Sequence, residues 1–158
     1  MRSRFSWLAV FVTFLVAAVF EVMMLSELLR PYRPEFMVLV LVYWLLRYPE
    51  KIGMTCTVIS GLMMDVISGS ALGVHVLVYA IICYLILNMH QRLKMFPIVQ
   101  QSVVMFLLVA TQLMLVSLLN TLLTSSGTDL SYLWVALSSA ILWPFVLLAS
   151  DRLSLALR

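Results

Sequence analysis

Asp65 is the side chain in this sequence whose chemistry most needs an explanation, because it stands in an apolar run that reaches from Ile52 to Ser68. An ionised carboxylate at the centre of a hydrocarbon-spanning helix costs on the order of 2.5 to 3.5 kcal/mol when unpaired. About one turn from the helix end, Asp65 can be hydrated, can accept N–H bonds from the turn Ser68 to Gly73, or can meet a cation such as His75. Two functions follow: a clamp of that turn built from Asp65, Ser68 and His75, or a proton-transfer group. The clamp is favoured, because nothing else in the chain completes a reaction centre. An aspartyl protease needs a second cooperating carboxylate, and Asp129 and Asp151 fall in a loop and near the C-terminal end. His75 and His90 are isolated, and the scattered carboxylates form no metal-ligand cluster. Cys56 and Cys83 lack a CxxC spacing and read as small buried hydrophobes. No nucleophile with its base, no P-loop and no Gly-rich dinucleotide turn is present. The sequence therefore predicts no catalytic residue, no metal site and no cofactor.

The elements that hold Asp65 are set by composition. Of 158 residues, 64% are hydrophobic and 11% charged, with a mean hydropathy of +1.10; a soluble domain is about half apolar and about a quarter charged. Most of this surface must face lipid, and the chain reads as a single all-α membrane domain over residues 1–158. The net charge is +3, but the basic residues stand at the ends of apolar runs and form no single face. They read as topology signals, and no nucleic-acid partner is expected.

The apolar runs predict a compact bundle of six transmembrane helices, one of them short, over about 5–25, 34–48, 52–68, 74–89, 97–123 and 132–150. A crossing needs about 20 residues for about 30 Å of hydrocarbon. Arg2 and Arg4 precede an apolar run too long for a signal peptide and without an A-x-A site, so a retained anchor is predicted. Pro31 and Pro34 end the first helix. The second run gives only about 22 Å of helix, enough for a short crossing or a re-entrant piece. SGSALG, HQRLK and SSGTD read as connections. The fifth run is longer than a vertical span needs, which predicts tilt or extension. Six crossings with both termini in the cytoplasm place Arg2, Arg4, Arg47, Lys51, Arg92, Lys94, Arg152 and Arg158 inside against Arg30 and Arg33 outside, as the positive-inside rule requires. Five crossings with the N-terminus outside satisfy the rule equally. Six is favoured because Arg2 and Arg4 abut the first span.

Gly53, Thr57, Gly61, Asp65 and Gly69 recur at i+4, with Gly73 beyond them, a small-xxx-small stripe that lets another helix approach at backbone distance while Thr57 bonds across. The stripe is a seam for a partner subunit or a seam inside the bundle. Gln101, Ser102, Thr111, Gln112, Ser117, Asn120 and Thr121 put polar atoms on the fifth helix, to join neighbouring helices or to line a small-molecule cavity. Arg33, Tyr43, Trp44, Trp143 and Pro144 read as interfacial anchors, with Pro144 also kinking its helix.

Three segments, RPEFMVLVLVYWLL at 33–46, GLMMDVISGSALGVHVL at 61–77 and LWPF at 142–145, resemble in order and spacing the MreD family of rod shape-determining membrane proteins. The resemblance implies a bacterial inner-membrane protein of six helices that binds MreC, in a complex with RodA, a penicillin-binding transpeptidase and MreB filaments. It further implies a fold like the substrate-binding membrane subunits of energy-coupling-factor importers. Scaffolding of cell-wall elongation without chemistry is the expected function; a small-molecule-binding importer subunit is the alternative.

Overall fold

Proline and glycine set most helix ends in the computed structural model, which describes residues 7–23, 34–124 and 132–156. These residues form six α-helices: α1 (Trp7–Met23), α2 (Phe36–Arg47), α3 (Pro49–Ser68), α4 (Val74–Met95), α5 (Ile98–Thr124) and α6 (Tyr132–Ala156). Tyr48 lies between α2 and α3 at φ −139° and ψ 65°. It precedes Pro49, whose ring excludes the helical conformation from the preceding residue while its own fixed φ opens α3. Phe96 is likewise extended before Pro97. Gly69 closes α3 in the left-handed conformation at φ 64°, where a side chain would be strained.

The helix ends differ from the sequence expectation in one informative place. HQRLK is helical, and α4 continues through it to Met95. Gln, Arg, Leu and Lys are good helix formers, and Arg92 and Lys94 in the last turn complement the negative end of the helix dipole.

The helices α3, α4, α5 and α6 are long and apolar enough to cross a membrane, so the chain is a multi-pass membrane protein. At 12 residues, α2 spans only about 18 Å. Its burial explains how so short a helix is accommodated. Every residue from Met37 to Leu46 is buried, and α1, α3, α4 and α6 all pack against it. An apolar helix enclosed along its length is a core element, and the helices packed around it are longer. Around this axis α3 pairs with α4 and α5 with α6.

Candidate functional site

The turn between α3 and α4 carries the charged site. Asp65 is 1% exposed and accepts hydrogen bonds from four groups. Its Oδ2 takes the Gly73 N–H at 2.7 Å; its Oδ1 takes the His75 N–H at 2.9 Å and the Ser70 hydroxyl at 2.9 Å, and lies 2.8 Å from His75 Nδ1. Gly73 and His75 stand at the start of α4, where the first N–H groups of a helix have no partner within it and the dipole favours negative charge. Asp65 thus caps the next helix from the preceding one. A carboxylate offers about four lone-pair positions, two on each oxygen; here three donors converge on Oδ1 and one on Oδ2.

Ser70, His75 and Asp65 are a serine, a histidine and an aspartate in contact, but they are not wired for nucleophilic catalysis. The Ser70 hydroxyl lies 3.1 Å from His75 Nδ1, the same nitrogen that meets Asp65. A relay needs the hydroxyl on one ring nitrogen and the carboxylate on the other. The geometry holds a turn. The His75 ring packs edge-on against Tyr79 with centroids 6.0 Å apart, which fixes the imidazole from its other side.

The structure brings Asp65 and His75 together and leaves Ser68 out. The Ser68 hydroxyl donates to Met64 O within its own helix at 2.7 Å, and Ser70, beyond Gly69, reaches the carboxylate instead. The small-residue stripe also divides. A Cβ on Gly61 would stand 2.6 Å from Val76 Cα and 2.9 Å from Val76 N, so Gly61 is where α3 and α4 meet backbone to backbone. Gly53, with φ +33°, has nothing within 4 Å of a Cβ and marks a kink in α3. Gly69 and Gly73 shape the turn. Thr57 donates to Gly53 O at 2.9 Å, back along its own helix and not across a helix pair.

Tyr43, Trp44 and Trp143, read from the sequence as interfacial anchors, are buried in the hydrophobic core. Trp143 is 0% exposed and its indole N–H donates to Gln101 Oε1 at 3.3 Å. Trp44, also buried, donates to the Thr13 hydroxyl at 2.8 Å, tying α2 to α1. The Tyr43 hydroxyl donates to Asp151 at 2.6 Å, tying α2 to α6. A buried indole or phenol needs a partner for its polar tip, and here other helices supply it. Pro144 lies inside α6, half-buried; Arg33 lies outside the described residues.

On α5, Gln101 also caps the end of α4 through Leu93 O at 3.0 Å and Phe96 O at 3.2 Å. Thr111 and Thr121 bond back to Leu107 and Ser117, and Gln112 is fully buried with neither amide atom hydrogen-bonded. Gln101→Leu is expected to cost about 1 to 3 kcal/mol, because it strands the Trp143 N–H and Phe96 O and leaves Leu93 O only the Phe96 N–H. Trp143→Phe, which leaves both carbonyl caps in place, loses about 1 kcal/mol of hydrogen bonding. Thermal unfolding in detergent ranks the two, and the reverse order would remove Gln101 from its linking role.

The family model for MreD, the rod shape-determining protein, matches residues 1–150. The chain belongs to the MreD family. A curated member, the rod shape-determining protein MreD of Haemophilus influenzae, is 31% identical over 97% of this chain and 96% of its own length. No solved structure matches the chain. The MreD family is one of shape-determining membrane proteins, and the Asp65 turn lies within the region its family model covers.

Proposed function

We propose that this MreD-family chain is a non-enzymatic scaffold of cell-wall elongation. It binds and orients the MreC anchor in the bacterial inner membrane, and through MreC it links MreB filaments to RodA and the penicillin-binding transpeptidase. The observation that carries this reading is the set of hydrogen bonds that Asp65 accepts from Ser70, Gly73 and His75. The carboxylate best placed to do chemistry within the helices is engaged in fixing one helix against the next. A preformed helical surface follows, able to set the tilt of a partner helix without turnover. The cavities between described helices have mainly apolar walls and offer few polar groups to grip a vitamin, which favours the scaffold over an importer subunit. In this reading all six helices cross, both termini face the cytoplasm, and α2 crosses inside a locally shielded core.

Gly61 faces α4, so a partner must dock elsewhere, on side chains that point outward. Leu62 and Val66 on α3, and Val103 and Leu107 on α5, are exposed. A photo-crosslinking scan of these positions and their helical neighbours, with MreC co-expressed, is expected to give MreC adducts at i, i+3 and i+4 spacing on one face. Adducts to MreC at no position would overturn the scaffold reading.

A further inference from the structure

Where α1 and α6 diverge over α2, a groove of about 220 Å³ opens toward the outside of the bundle. Thr13 and Ala17 form one wall, Val146 and Ala149 the other, and Phe36 and Val40 the floor. The Thr13 hydroxyl is turned away from this space: it donates to Ala9 O and Val10 O and accepts the Trp44 N–H. The groove therefore presents an almost wholly apolar surface. A methylene occupies about the same room as a water molecule, whose share of liquid volume is about 30 Å³, so the groove holds roughly seven. That is a stretch of one acyl chain. One turn of a helix about 10 Å across and about 5.4 Å long fills roughly 400 Å³, more than the groove holds.

Beyond one end of the groove basic residues outnumber acidic ones, with Arg47, Lys51 and Arg152 against Glu50 and Asp151. Arg47 follows Val40 by seven residues, hence on the same stripe of α2 and roughly 10 Å further along. Its side chain is 51% exposed, with one nitrogen 3.3 Å from Asp151 Oδ1. The Tyr43 hydroxyl holds that same oxygen at 2.6 Å, so Asp151 fixes the guanidinium in place. A guanidinium carries five N–H donors in a planar fork suited to phosphate, and the ion pair leaves part of that fork available. Arg152 follows on α6 and Lys51 stands in the first turn of α3, both exposed at this same end. We infer that the α1/α2/α6 groove binds one anionic phospholipid, with an acyl chain laid over Val40 and Ala149 and the phosphate at Arg47. Basic residues at a helix end attract anionic lipid headgroups, and the groove adds the fit that a cationic rim alone lacks.

Native mass spectrometry of the full chain in detergent, titrated with dioleoyl phosphatidylglycerol against dioleoyl phosphatidylcholine, tests the site. One phosphatidylglycerol is expected to be retained with about five-fold preference, and Arg47→Gln is expected to bring that preference to about one. Ala149→Phe fills the groove from an exposed position and is expected to lower retention of both lipids. In membranes, a photo-crosslinking amino acid replacing Ala149 is expected to yield an adduct of lipid mass. Equal retention of the two lipids by the unaltered chain, an undiminished preference in Arg47→Gln, or an adduct at position 149 with a second polypeptide and no lipid, would each overturn the assignment.

Discussion

Asp65→Ala is expected to destabilise the protein by about 3 to 5 kcal/mol, because it strands several buried donors at about 1 to 3 kcal/mol each. Alanine takes away the acceptor of the Gly73 and His75 N–H groups and leaves the Ser70 hydroxyl and His75 Nδ1 only each other. The N–H groups of buried His75 and half-buried Gly73 then have no replacement within the protein, since the following helix has no carbonyl to offer its own first turn. For a chain of this size each kcal/mol shifts the melting temperature by roughly 2 to 4 °C, so a fall of roughly 10 °C in detergent is the expected result. Asp65→Asn keeps one carbonyl oxygen and should lose about half as much. This pair of variants also separates the clamp from proton transfer. Asparagine cannot shuttle a proton, so a transfer role predicts equal and complete loss of rod shape in both variants, with little change in melting. A clamp predicts graded loss that follows stability. Melting of Asp65→Ala within a degree or two of the unaltered chain would remove the clamp.

The sequence disclosed those features whose chemistry is local. Pro49, Pro97 and Gly69 mark helix ends because a missing N–H, a ring clash or a positive φ acts on the residue itself and its neighbour. Asp65 was legible for a similar reason: a carboxylate in an apolar helix requires partners close by, and the turn eight residues on was within reach. The identity of the assisting hydroxyl was less accessible. Ser68 is still helical and satisfies itself on Met64 O, whereas Ser70, past the left-handed Gly69, is free to turn back.

The arrangement of helices in space was hidden by the solvent. In water, an apolar stripe points inward; in lipid, whose tails are as apolar as leucine, inward and outward faces have the same composition. So Phe36–Arg47 reads as a short span of doubtful course, although it is the axis of the bundle. The same ambiguity placed Tyr43, Trp44 and Trp143 in an aromatic belt. Their polar tips find Asp151, Thr13 and Gln101, contacts separated by tens of residues along the chain and without a local pattern. Within the stripe of small residues Gly61 meets α4 at backbone distance, but spacing alone does not tell contact from kink, and Gly53 is the latter.

Gly61→Ala is the smallest change expected to have a large effect. The added methyl would meet Val76 Cα at 2.6 Å and Val76 N at 2.9 Å. These are backbone atoms of α4, so no side-chain rotation relieves the clash, and α3 and α4 must separate. Overpacking of this kind costs about 1 to 3 kcal/mol and occasionally more. The contact lies one turn from Asp65, and a helix pair pushed apart at Gly61 also draws the carboxylate away from Gly73 and His75. The two sites should therefore couple. In the double variant Gly61→Ala with Asp65→Ala, the summed single effects are expected to exceed the measured loss by about 0.5 to 3 kcal/mol, since bonds already stretched by the methyl cannot be lost again in full. Unfolding of the four proteins in detergent measures this directly. Strict additivity would mean that the α3/α4 contact and the Asp65 clamp are independent supports, and the coupling between them would have to be abandoned.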